Sequence, residues 1–140
     1  FEQHMDKIDA LVMGRNTYEL VASFDMDWPY NKPVFVLSHS LSDIPLKLQE
    51  KVSLIHGELN EIVMQLKEKG FDNLYIDGGV TIQNFLKQDL IDEMIITTIP
   101  IVLGGGIPLF GTLDESLMFK CIASHCDKVG MSQQHFVRQR

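Results

Sequence analysis

Apolar positions in this chain repeat with two different periods, and the alternation between them predicts its elements. Short, nearly continuous apolar runs occur at Leu11–Met13, Pro33–Ser38, Val52–His56 and Leu74–Ile76. Runs of this length, apolar on both faces, read as strands of a parallel sheet. Stretches with helical spacing lie between them. Asn16 or Thr17 opens one that carries Leu20, Val21 and Phe24. Glu58–Lys69 is the clearest helix. Leu59, Ile62, Val63 and Leu66 share a face, and Gly70 stands where a C-terminal cap belongs. Val80–Lys87 is the next helix.

Beyond Lys87 the helical pattern stops. Met94–Val102 is rich in Ile and Thr, and Gly104–Gly106 breaks it. Leu117–Cys126 and Met131–Arg138 flank Asp127–Gly130, a glycine-containing turn that predicts a hairpin. At the front, Phe1, Met5 and Ile8 fall at i, i+4 and i+7, which predicts the tail of a helix over Phe1–Lys7. The elements make one α/β domain over residues 1–140 with seven strands. Its sheet is mainly parallel and flanked by helices, with an antiparallel edge at the C-terminus. The domain is expected to be N-terminally incomplete, with a first strand and roughly 30–40 residues preceding Phe1.

Composition narrows the function. The net charge is −7. An acidic surface repels nucleic acid and anionic membranes, so neither is an expected partner, and any anion site must be local. No apolar run approaches a bilayer span and none reads as a signal peptide, and two cysteines read as reduced thiols lead to the expectation of a cytoplasmic protein. Cys121 and Cys126 stand five apart, which predicts opposite faces of one strand and two reduced thiols. No CxxC or Cys/His cluster is present, and no metal is expected.

The chemistry concentrates at two strand-to-helix junctions. Leu74-Tyr75-Ile76-Asp77 runs into Gly78-Gly79-Val80-Thr81, where a helix begins. The unpaired N–H groups of a helix start suit a phosphate, and glycine lets an anion approach the backbone. Gly78–Gly79 alone reads equally well as a plain tight turn. Gly79 is the position expected to take a positive φ against the ligand. The second junction is Gly14-Arg15-Asn16-Thr17 after Leu11–Met13. Arg15 can bind phosphate bidentately, and Thr17 can cap the helix or donate to an anion. Two such turns in one small chain point to a cofactor with two phosphate groups.

Other residues have bland readings beside functional ones. Asp77 could act near the cofactor, but accepting backbone hydrogen bonds in its turn is the simpler role. Asp92 reads as structural. Gly104–Gly106 fits a strand bend or a substrate mouth. Trp28 and Tyr30 either line a pocket or pack over a helix. His39 could touch a ribose phosphate, whereas His4, His56, His125 and His135 read as surface or edge-strand residues.

Taken in order, several segments resemble the dihydrofolate reductase-like superfamily. Its nearest branch is the reductase domain of bifunctional riboflavin-biosynthesis proteins and their small stand-alone relatives. The residues that carry the resemblance are Leu11–Glu19, Lys32–Ser38, Ile76–Gly79 with Phe85–Leu86, Leu90–Glu93 and Ile99–Phe110. The resemblance implies an eight-stranded sheet with NADPH across the carboxyl ends of its strands. Gly14, Arg15, Asn16 and Thr17 would meet the adenosine-side phosphates. Leu37, Ser38 and His39 would flank the adenosine ribose, and Gly78, Gly79, Val80 and Thr81 would cradle the pyrophosphate. It also implies a homodimer, to which Met118, Phe119, Ile122, Phe136 and Val137 could lend apolar surface. The strand and loop that cover the nicotinamide in this superfamily are absent, and so is the early helix with its acidic residue. No catalytic acid is therefore assigned.

Two functions fit. One is an NADPH-dependent reductase of a small heterocycle, pterin-like or ribosylamino-pyrimidine-like. Few basic residues beyond Arg15 sit in the candidate loops, which counts against a phosphoribosyl substrate. The other is a nucleotide-binding module without turnover, a sensor or an assembly partner.

Overall fold

The computed structural model describes residues 6–24, 27–38 and 44–140. Seven strands and three α-helices lie among them. The strands are β1 (Ala10–Gly14), β2 (Val34–Leu37), β3 (Val52–Ile55), β4 (Leu74–Asp77), β5 (Glu93–Thr98), β6 (Phe119–Cys126) and β7 (Ser132–Arg138). The helices are α1 (Arg15–Ala22), α2 (Leu59–Glu68) and α3 (Gly79–Lys87). The chain forms two compact units, Phe1–Asn84 and Phe85–Arg140.

The first unit holds a wholly parallel four-stranded sheet in the order β3-β2-β1-β4. The apolar runs predicted for buried strands occupy it, and Leu11, Val12, Met13, Val34 and Val36 are almost completely shielded from solvent. Side chains alternate across the pleat. Leu11, Met13, Val34, Val36 and Val52 join Tyr18 of α1, Ile44 and Leu48 in one core cluster. On the other face the Phe35 ring meets Phe71 edge-on at 5.5 Å. Phe71 lies three residues past the end of α2, whose Ile62 and Leu66 are buried as their helical spacing required. Gly70, at φ +93°, ends that helix. Its N–H reaches Lys67 O and the Phe71 N–H reaches Leu66 O, a Schellman motif.

The second unit holds an antiparallel sheet in the order β5-β7-β6. The predicted hairpin is present. Asp127 Oδ1 accepts from the Val129 and Met131 N–H groups at 3.0 Å each and fixes its turn. β7 inserts between β5 and β6, so His135 lies on a central strand and not on an edge. β5 ends at Thr98, short of the expected Val102. Pro100 lacks an N–H, and the chain folds around it with Ile101 N–H bonded to Ile99 O at 2.8 Å. Gly104–Gly106 therefore lie in a loop and do not bend a strand.

A bulge overturns the expected placement of the cysteines. Cys121 pairs with Phe136, but Ala123 pairs with His135, so Ile122 is the extra residue. Cys126 pairs with Ser132, four positions from Phe136. Cys121 and Cys126 consequently share a face, about 13 Å apart at ordinary strand rise, well beyond disulfide reach. Both are free thiols.

The end of β7 is latched to the turn after α3. Asp89 takes a left-handed φ of +55°. Arg138 Nε and Nη2 donate to its two carboxylate oxygens at 2.6 and 2.9 Å. Arg140 donates to Asp92 Oδ1 at 2.8 Å, which gives Asp92 the structural role expected of it. No helix among the described residues is long and apolar enough to cross a membrane. The helix expected over Phe1–Lys7 falls mostly outside the described residues, and Asp6–Lys7 form a turn.

Candidate functional site

The chain runs from β1 outward to β2 and β3, then returns to place β4 on the other side of β1. Neighbouring parallel strands whose connections diverge leave a crevice at their carboxyl ends, and in open α/β sheets ligands occupy that position. The corresponding position here is the end of β1 and β4, at Gly14 and Gly78. Met13 pairs with Asp77, and Gly14 pairs with Leu37. The carboxyl ends of β1, β2 and β4 thus bring Gly14–Thr17, Leu37–Ser38 and Gly78–Thr81 to one end of one sheet. His39 lies outside the described residues.

Two helices start at this edge. Helix α1 begins at Arg15, one residue earlier than its expected limit, with Gly14 as N-cap and no side-chain cap bond. Thr17 therefore does not cap. It sits in the first turn with its hydroxyl against Gly78. Helix α3 begins at Gly79. Neither first turn carries an acid. The opening N–H groups of both helices have no acceptor within their own helix, and both dipoles present their positive ends.

The two glycines before these helices are packed against reciprocal threonines. A methyl group at Gly14 would lie 2.7 Å from Thr81 Oγ1, and one at Gly78 would lie 2.5 Å from Thr17 Oγ1. Gly14 has an ordinary extended φ of −81°, so space alone requires glycine there. Gly78 has φ +97° and is required on both counts. Gly79, the residue expected to carry the positive φ, has none, and a methyl group there meets nothing within 4 Å. Thr81 is only 8% exposed, whereas Val80 projects into solvent at 70%. The open space at Gly79 and the donors of two first turns that carry no acid make a cradle that fits a diphosphate, with the Asp77 carboxylate at its edge.

Arg15 leads α1 with its side chain 44% exposed, and its Nε donates to Glu19 Oε1 at 2.7 Å. Sequence reasoning singled out Asp77 and Tyr30 separately but missed their contact. Tyr30 Oη donates to Asp77 Oδ2 at 3.4 Å, so the partner of Asp77 is a phenol and not the backbone of its turn. Burial, then the Asp77 charge, pushes the Tyr30 phenol up to about 12. The same two causes push Tyr75 upward. Trp28 packs edge-on against Tyr18 and Tyr30, with centroids 6.1 and 5.2 Å apart, and so covers α1. It also lines a shallow cleft with Lys47, Leu48 and Lys51. No group of three His, Cys, Asp or Glu among the described residues is placed to hold a metal.

Parallel strands, helices launched from glycine turns at their carboxyl ends, and antiparallel strands at the C-terminus define a dihydrofolate reductase-like α/β protein. More narrowly, the chain belongs to the RibD C-terminal domain family, which matches residues 1–131. It is 39% identical over 134 residues to the Bacillus subtilis protein YwjB, covering 94% of this chain and 74% of that one. Its structure is similar to that of a putative riboflavin biosynthesis protein from Shewanella sp. PV-4. The TM-score is 0.95 at 55% identity, over 100% of this chain and 79% of the other. A diaminohydroxyphosphoribosylaminopyrimidine deaminase/5-amino-6-(5-phosphoribosylamino)uracil reductase from Thermotoga maritima shares the fold. There the TM-score is 0.71 at 14% identity, over 99% of this chain and 48% of the other.

Proposed function

We propose that the protein is an NADPH-dependent reductase of a small heterocycle, pterin-like or ribosylamino-pyrimidine-like, working by hydride transfer. The observation that carries this reading is the pair of glycine-led helix starts, packed side by side at the carboxyl ends of β1 and β4. Family membership and the likeness to the Shewanella protein support it. NADPH supplies the hydride, and the protein supplies orientation and electrostatics.

In this reading the N–H groups of Gly79, Val80 and Thr81, with Gly78 kept free of a side chain, hold the pyrophosphate. Gly14, Arg15, Asn16 and Thr17 meet the adenosine-side phosphates. Leu37, Ser38 and His39 flank the adenosine ribose. Asp77 stands one residue before the cradle as an acceptor, and Tyr30 stays protonated beside it at neutral pH.

A binding titration followed by an oxidation assay tests the proposal. NADPH should bind, and its 340 nm absorbance should fall when a pterin or an aminopyrimidine is added. Binding without oxidation across that panel would make the chain a nucleotide-binding module. No binding at all would remove the reading. We also propose a homodimer, on the strength of apolar side chains displayed along Ile99–Phe110, among them Val102 and Ile107 at 95% exposure.

A further inference from the structure

We propose that Glu19 sets the cofactor preference of the site by competing with a phosphomonoester for Arg15. The proposal rests on the reading of Gly14–Thr17 as the turn that meets the adenosine-side phosphates. Arg15 is the only basic residue of α1. As the first residue of the helix it is the one cation of that segment placed at the positive dipole end. Its guanidinium is nevertheless drawn one turn along the helix, where Nε donates to Glu19 Oε1 at 2.7 Å.

Both partners are close to half exposed, at 44% and 46%. A pair of this kind is worth only about twofold in an equilibrium constant. A charge-assisted contact from guanidinium to phosphate is worth about 10- to 100-fold. The 2′-phosphate of NADPH therefore draws Arg15 away from Glu19, whereas the 2′-hydroxyl of NADH does not. The exchange leaves an unpaired carboxylate one helical turn from a dianion. Breaking the pair and that residual repulsion both fall on NADPH alone. Glu19 thus narrows a preference that Arg15 by itself would make wider. It is a specificity-determining residue that need not touch the cofactor.

A double-mutant cycle tests this. Dissociation constants for NADPH and NADH are measured by calorimetry at low ionic strength for the full chain, E19Q, R15A and R15A/E19Q. Glu19→Gln should tighten NADPH by about 3- to 10-fold, change NADH by less than about twofold, and have no effect once Arg15 is absent. Thermal melts of all four proteins check that they are folded. Equal changes for both nucleotides, an undiminished effect in the R15A background, or no change on Glu19→Gln would overturn the inference while leaving NADPH binding intact. A folded wild-type protein that binds neither nucleotide would overturn the site reading and this inference together.

Discussion

Gly78 and Thr17 belong to different strand–helix junctions, yet a methyl group on Gly78 would lie 2.5 Å from Thr17 Oγ1. Gly14 and Thr81 repeat the relationship in reverse, at 2.7 Å. Each helix start thus occupies the space that a side chain would need at the other junction. The two glycine turns are spaced by direct contact between their helix starts.

The glycines at this edge should separate by mutation. Gly78→Ala must adopt φ +97° and displace Thr17, so it should cost about 2–4 kcal/mol and lower the melting temperature. Thr17→Ala should restore part of that loss. Gly79→Ala meets open space without a positive φ and extends a helix start, so stability should hold or rise by up to about 1 kcal/mol. NADPH binding should nevertheless weaken at least tenfold, because the new methyl fills the cradle. Thermal melts and calorimetry on the two variants measure both effects. Unchanged binding by Gly79→Ala would reduce the junction to a plain turn.

Tyr30 should titrate late. Its phenol is pushed up to about 12 by burial, then by Asp77. A folded pKa above the unfolded value means the contribution is complete below about pH 10 and disappears as pH rises toward 12. Absorbance at 295 nm should show a midpoint near 12 that Tyr30→Phe removes. Asp77→Asn should lower that midpoint without returning it to 10, since burial is the larger cause. A Tyr30 midpoint that Asp77→Asn leaves unchanged would refute the Tyr30–Asp77 contact.

The Asp89–Arg138 latch should make the C-terminal sheet sensitive to acid. The two-pronged hydrogen bond from Arg138, and then the charges of Arg138 and Arg140, hold the Asp89 carboxyl below its ordinary range. A depressed folded pKa contributes stability above about pH 3.9, lost as pH falls through the folded value. Asp89→Asn should lower the melting temperature at pH 7, and the difference from the parent should shrink below pH 4. A constant difference across that range would show that the ion pair contributes nothing.

Association should depend on Ile99–Phe110. Seven apolar side chains in that segment are each at least 45% exposed. A standard interface covers about 800 Å² on each partner, an area that side chains of this size can supply. Light scattering at micromolar concentration should give twice the chain mass, and Val102→Glu with Ile107→Lys should halve it. A monomeric parent protein would contradict the dimer.

The parallel sheet was legible because strands buried on both faces write themselves as unbroken apolar runs, as in Leu11–Met13 and Val34–Leu37. The cradle was legible because glycine between a strand and a helix marks one end of the sheet. Three features were not. The Tyr30–Asp77 contact joins residues 47 apart, and no local spacing encodes it. The bulge at Ile122 shifts Cys121 and Cys126 onto one face, and a pattern of period two cannot reveal one inserted residue. The choice of Gly78 over Gly79 for the positive φ follows from where α3 begins, and helix ends are the least certain feature of any sequence pattern. Pro100 did carry a readable signal, since proline inside a strand-like run argues for its end.

The central claim is that two glycine-led helix starts and Arg15 hold a dinucleotide bearing an extra phosphate. Calorimetric titration of the parent protein and Arg15→Ala with NADPH and NADH tests it most directly. A charge-assisted phosphate contact is worth about 1.5–3 kcal/mol, or about 10- to 100-fold in affinity, of which Glu19 withholds a part. NADPH should bind more tightly than NADH, and Arg15→Ala should remove most of the difference by weakening NADPH alone. Equal affinities in the parent protein, or a preference that survives Arg15→Ala, would contradict the account.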